Sequence, residues 1–229
     1  MSKPRIAHRL DAATGGLLVV AKMTQSEIRL KENFANRYCK KRYRAIVFGR
    51  LEPNSTSCVV EDFDHDEEKE DTEYCGIINS PVANKAALTR YSIVCHSRSP
   101  YPQANGWMTT VDLFPVTGRK HQLRRHLKSI GHPIWGDQKH GPYPKVDVDC
   151  QDGVKRDIDS SAPDYDEDVN VNARDCPHHH LCLWALEISF PHPSKDEMVL
   201  SQIDEPPWYS ELRCGQEEQW KTNSTNGTN

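Results

Sequence analysis

Two stretches of this sequence hold side chains that could do nucleophilic or acid–base chemistry. The first is HRLDAATGG, His8 to Gly16. Asp11 sits there with Arg9 and His8 beside it, and Gly15 and Gly16 permit a tight backbone just before an apolar run. A carboxylate in such a loop can serve as nucleophile or base if an arginine keeps it ionised and aimed. A surface aspartate that caps a turn has the same local sequence. The second stretch is TGRKHQLRRH, Thr117 to His126. Gly118, a helix N-terminus and a cluster holding Arg119, Lys120, His121, Arg124 and Arg125 would suit a phosphate or carboxylate. A solvated basic helix is the alternative.

The elements that must position these residues follow from periodicity. Gly16 to Ala21 (GLLVVA) reads as a short buried strand, and Thr24 with Glu27 forms a capping box opening a helix to about Arg37. Lys41 to Arg50, Asn84 to Cys95, Trp107 to Phe114, Leu181 to Phe190 and Met198 to Ile203 read as strands. The second and third are expected to be adjacent and antiparallel. In Arg119 to Ile130 the period becomes helical, with Leu123, Leu127 and Ile130 on one side and charge elsewhere, and Pro206 to Leu212 can form a terminal helix. Strands outnumber helices without alternating regularly with them. The expected class is therefore α+β, a mixed, mainly antiparallel sheet with flanking helices.

The 229 residues carry 29 Lys plus Arg against 33 Asp plus Glu, a net charge of -4. Two segments distort that sum: Glu61 to Glu73 has nine acidic residues and one basic, and Asp147 to Asp168 has nine and two. Removing their -8 and -7 leaves the other 194 residues at +11. A basic body with two acidic insertions suits a nucleic-acid partner. The length fits one domain over residues 1–213, interrupted at 61–73 and 147–168, with a polar tail at 214–229. No apolar run could span a bilayer and no secretory h-region opens the chain, so the reading is intracellular, in cytoplasm, nucleus or organelle. Eight cysteines without a CxxC pair point to free thiols. The CPHHHLC cluster, Cys176 to Cys182, matches no common zinc spacing, and no metal is expected.

Four blocks in one order carry a resemblance. HRLDAATGGLLVVAK (His8 to Lys22), KKRYRAIVFG (Lys40 to Gly49), PVTGRKHQLRRHLKSIGHPIWGD (Pro115 to Asp137) and ALEISFPHP (Ala185 to Pro193) resemble motifs of the RluA-type RNA pseudouridine synthases. The resemblance implies a cofactor- and metal-free isomerase that takes a uridine out of its stack in ribosomal, transfer or messenger RNA, working as a monomer. Asp11 matches the family nucleophile, which attacks the nucleoside at sugar or base so that the base detaches, turns and rejoins through C5. Tyr43 matches the tyrosine that packs on the uracil and is implicated in removing the C5 proton. Arg124 matches the arginine that pairs with the aspartate, and Leu123 its apolar neighbour in the pocket. Arg9, Arg119 and His121 are expected at the RNA.

This sequence departs from the family pattern in places. Gly15 stands where the family has serine, His140 where tyrosine is usual, and Trp184 where histidine is usual. Family members carry a strand and a KPxG-type loop before HRLD; only seven residues precede His8, so the chain reads as N-terminally incomplete. Two rivals follow: a catalytically silent RNA-binding remnant, and an interaction protein whose acidic segments recruit a basic partner.

Overall fold

The computed structural model describes residues 3–54, 74–142 and 180–226. The two acidic segments, and residues 176–179 of the cysteine and histidine cluster, lie outside the described residues.

The chain forms β1 (Arg5–Ile6), β2 (Gly15–Gly16), β3 (Val20–Ala21), α1 (Thr24–Ala35), β4 (Lys40–Phe48), β5 (Gly76–Asn79), β6 (Leu88–Arg98), β7 (Trp107–Pro115), α2 (Gln122–Ser129), β8 (Leu183–Pro191), β9 (Met198–Gln202) and α3 (Pro207–Asn226). The main sheet runs β2-β8-β4-β7-β6-β5, with β9 also on β8. Every pairing in it is antiparallel except β2 with β8. β6 and β7 are adjacent and antiparallel, as the alternation predicts, and the class is the α+β expected. β4 lies inside the sheet between β8 and β7. Its run Ala45–Ile46–Val47–Phe48 is buried throughout, because both faces are covered. Phe48 stacks on Trp135 at 4.5 Å between ring centroids, and Leu127, Leu181, Leu183 and Tyr209 complete the main core.

Four local expectations are corrected. Gly16 to Ala21 is not one buried strand: the chain leaves β8 after Gly16 and joins β1 at Val20. Leu17, Val19 and Ala21 pack into a second core with Leu30 and Phe34 of α1, while Leu18 and Val20 on the other side stay 43% and 44% exposed. The capping box of α1 does not form. Met23 is the N-cap, without a side-chain cap bond, and the Glu27 carboxylate instead accepts from Arg5 at 3.1 Å and Lys31 at 2.7 Å.

α2 starts at Gln122 rather than at Arg119, and on its inner side Gln122, Leu123, Arg124, His126 and Leu127 are all buried. Its polar members are tolerated there because each is hydrogen-bonded. His126 Nδ1 pairs with Thr89 Oγ1 at 2.9 Å and Nε2 with the Ser80 carbonyl at 2.9 Å. α3 outruns the expected Pro206 to Leu212 and crosses residue 213 without a break, because tertiary contacts hold its polar half. Gln216 Oε1 accepts from Ser99 Oγ at 2.6 Å, and Arg98 stacks between Trp107 and Trp220. No helix among the described residues is long and apolar enough to cross a membrane.

Candidate active site

The loop bearing Asp11 is fixed at both ends. On its N-terminal side, Val19 N donates to His8 Nε2 at 3.0 Å, and the imidazole packs on Phe34 at 4.6 Å. Burial, reinforced by the nearby Lys41 charge, pushes the His8 imidazole down to about 4, so Nε2 is unprotonated and able to accept. Thr14 N closes a turn on the Asp11 carbonyl at 2.9 Å. On the C-terminal side, Gly15 and Gly16 pair in parallel with Trp184 and Ala185, and Leu17 N donates to the Ala185 carbonyl at 3.0 Å. Gly16 has φ of +106°, and a Cβ there would lie 2.6 Å from the Ala185 nitrogen. Only glycine lets the loop approach β8 this closely.

Tyr43 lies across from Ala185 on one side and Leu113 on the other, and all three share a buried cluster with Leu123. Burial pushes the Tyr43 phenol well above its ordinary value, and the negative charge of Asp11 pushes it further. Gly16, next to the Asp11 turn, and Tyr43 are both paired with Ala185, on its two sides. Arg124 is almost wholly buried and gives Asp137, which is wholly buried, two parallel bonds of 2.8 Å, Nε to Oδ2 and Nη2 to Oδ1. Asp137 Oδ1 also accepts from the backbone N–H groups of Lys139 and His140, at 3.1 and 2.9 Å. A fork-to-fork pair of this kind fixes the guanidinium plane as well as its position.

The other expected residues surround this centre. His121 is buried in the left-handed region at φ 54°, its Nδ1 3.0 Å from His140 Nε2. Arg119 Nε donates to the Ala86 carbonyl at 3.1 Å, which turns it toward the loop before β6. Arg9 is exposed beside the Asp11 loop.

Sequence reasoning missed two groups that hold the site. Gln122 pins the start of α2: its Oε1 accepts from Thr117 Oγ1 and Arg119 N, and its Nε2 donates to Leu88 O and Thr89 Oγ1. On the other face of the sheet, Asp112 accepts from Arg42 and Arg44, and Glu205 joins Arg44 to Arg213. The alternation of β4 puts Arg42 and Arg44 opposite Tyr43, so this network braces the strand from behind. The side chains present supply a carboxylate, an aromatic surface, a fixed cation and an exposed arginine. Among the described residues no group of three or more His, Cys, Asp or Glu is placed to hold a metal ion.

The chain is similar to known proteins over most of its length. The family described as RNA pseudouridylate synthase matches residues 1–129, which hold the Asp11 loop, Tyr43 and the whole of α2. The dual-specificity RNA pseudouridine synthase RluA of Vibrio vulnificus is 29% identical over 216 residues, covering 87% of this chain and 72% of the relative. Its counterpart in Haemophilus influenzae is 39% identical over 147 residues, covering 61% of this chain and 59% of the relative. Human RNA pseudouridylate synthase domain containing 1 shares the fold with a TM-score of 0.55 at 23% identity, over 89% of this chain and 70% of that one.

Proposed function

The chain belongs to the RNA pseudouridylate synthase family and is of its RluA type; from that premise we propose that it isomerises a specific uridine in RNA to pseudouridine, with Asp11 as nucleophile. The observation that carries this reading is the register of β8, whose Ala185 lies between Gly16 of the Asp11 loop and Tyr43 of β4. In the reaction the C1′–N1 bond breaks, a C1′–C5 bond forms, the C5 hydrogen leaves as a proton and N1 takes one up. A uracil extruded from its stack needs an aromatic face to receive it, and Tyr43 with Leu123 supplies an apolar surface of that kind. Tyr43 enters as a neutral phenol, because burial and Asp11 both oppose its ionisation. It can take the C5 proton only by passing on its own in the same step. Arg124, held by Asp137, keeps a positive charge at the site and favours the ionised form of the nucleophile. Arg9 and Arg119 contact the RNA, which the protein binds as a monomer, while His121, expected there too, is buried against His140.

Tritium release from RNA labelled at uridine C5 tests the proposal, because the isomerisation must expel that hydrogen. Release by the protein and none by Asp11→Ala, with RNA binding retained by both, is the expected result. Release that survives Asp11→Ala refutes the assignment.

A further inference from the structure

Gly15 and Trp184 come from opposite ends of the chain and lie directly opposite each other in the parallel β2–β8 pair. A Cβ at position 15 would lie 2.5 Å from Cε3 and 2.6 Å from Cη2 of Trp184, closer still to Cζ3, well inside any real carbon–carbon contact. The indole therefore occupies the volume a side chain at 15 would need. It is half-buried and packs on the main core, as does Leu10, the residue before Asp11. The clash is with a ring on the sheet's central run of strands, not with the free end of a flexible chain. Both positions also depart from the family motif, serine to glycine and histidine to tryptophan. In the fold the two positions adjoin.

The neighbours on β8 show why this matters. Ala185 is across from Tyr43 on one side and Gly16 on the other, and Trp184 is across from Arg44 and Gly15. Consecutive residues of β8 thus set the spacing of the Asp11 loop from the strand that carries Tyr43. Arg44, the residue across from Trp184 on β4, is itself held by Asp112 and Glu205.

We propose that Trp184 is a positioning residue for Asp11 and that Gly15 is its matched partner: the indole, seated in the space left at 15, sets the height of the Asp11 loop above the sheet. This rests on the reading of Asp11 as nucleophile.

The test is a double-mutant cycle of Gly15→Ser, Trp184→His and the two together, in the full chain. Single-turnover tritium release should fall at least tenfold in rate for Gly15→Ser and for Trp184→His, with less than threefold change in RNA affinity, and the double variant should regain most of the loss. A second readout does not need turnover: 19F NMR of protein containing 3-fluorotyrosine, with the Tyr43 resonance assigned by Tyr43→Phe. Asp11→Ala moves that resonance; Gly15→Ser should move it the same way, and the double variant should restore it. A Gly15→Ser rate equal to wild type, or losses that simply add in the double variant, overturns the proposal. If no variant, wild type included, releases tritium while the resonance follows the cycle, the proposed function fails and the positioning role stands. A resonance that ignores Gly15→Ser overturns the positioning role even if release requires Asp11.

Discussion

Removing the Asp137 carboxylate should destabilise the protein and disable the site by one physical route. Arg124 is 3% exposed and Asp137 fully buried, so Asp137→Ala takes from a desolvated guanidinium the carboxylate that accepts two of its bonds. Breaking a buried pair from one side costs about 3 to 5 kcal/mol. A domain of this kind has about 5 to 15 kcal/mol in total, so about a fifth or more of its stability is at stake. At this chain length the loss corresponds to a fall of about 6 to 20 °C in Tm. The backbone N–H groups of Lys139 and His140 lose their acceptor as well, which places the effect toward the upper end. Urea unfolding followed by circular dichroism measures the stability, and single-turnover tritium release measures the chemistry. Asp137→Asn keeps an acceptor but loses the charge and should fall between wild type and Asp137→Ala on both. Arg124→Leu combined with Asp137→Leu removes the buried charge altogether, so it should be more stable than Asp137→Ala and remain inactive. Stability of Asp137→Ala within about 1 kcal/mol of wild type would refute the reasoning, because that is the range of an exposed pair.

Other outcomes follow from the same site. Tyr43→Phe should lower single-turnover release by about 10²-fold or more, and since burial and Asp11 hold the phenol protonated, the wild-type rate should show no alkaline limb up to pH 10; a limb near 10 contradicts this. His8 and His140 are both lowered from 6.5 to about 4, in each case chiefly by burial, and for His140 also by the Arg124, His121 and Arg125 charges acting against the opposing pull of Asp137. The unfolded chain then binds more protons than the folded one, so stability is full above pH 6.5, declines as pH falls toward 4 and has lost the whole contribution below it. Urea midpoints from pH 7.5 to 4 should show that decline, and His140→Gln should make it shallower. Arg9→Ala should weaken RNA binding and reduce the slope of log affinity against log salt by about 1; an unchanged slope removes Arg9 from the RNA.

Legibility in the sequence divided along the line between local and distant causes. β4, β6, β7, β8 and β9 could be read because apolar alternation, or an unbroken apolar run in β4, is a property of neighbouring residues. β5 was missed because its four residues have too little pattern to stand out. α3 was cut short at Leu212 because Gln216 and Trp220 look like polar-tail residues until Ser99 and Arg98 are brought against them. At the site, Asp11, Tyr43 and Arg124 were named from motifs, but the partner that fixes Arg124 was not. Asp137 stood in the quoted block, and nothing in its spacing says that it turns back onto α2. The fit of Gly15 to Trp184 was still less visible, since β2 and β8 meet only in the folded sheet.

The strand order has a consequence for how the protein comes into being. β8, one strand in from the edge of the main sheet, is almost the last strand in the chain, yet it alone joins β2 to β4. During synthesis β4 and β7 emerge long before it, and β4 waits with one row of backbone donors and acceptors unpaired, an edge prone to mispairing until β8 arrives. Contacts of such long range form slowly. The Asp11 loop leaves the ribosome well before β8 and is fixed only after it, because Gly15 and Gly16 have no strand to dock on until residues 183–185 have been made. A nascent chain in which β8 is still missing would thus carry Asp11 without the strand that aligns its loop with Tyr43.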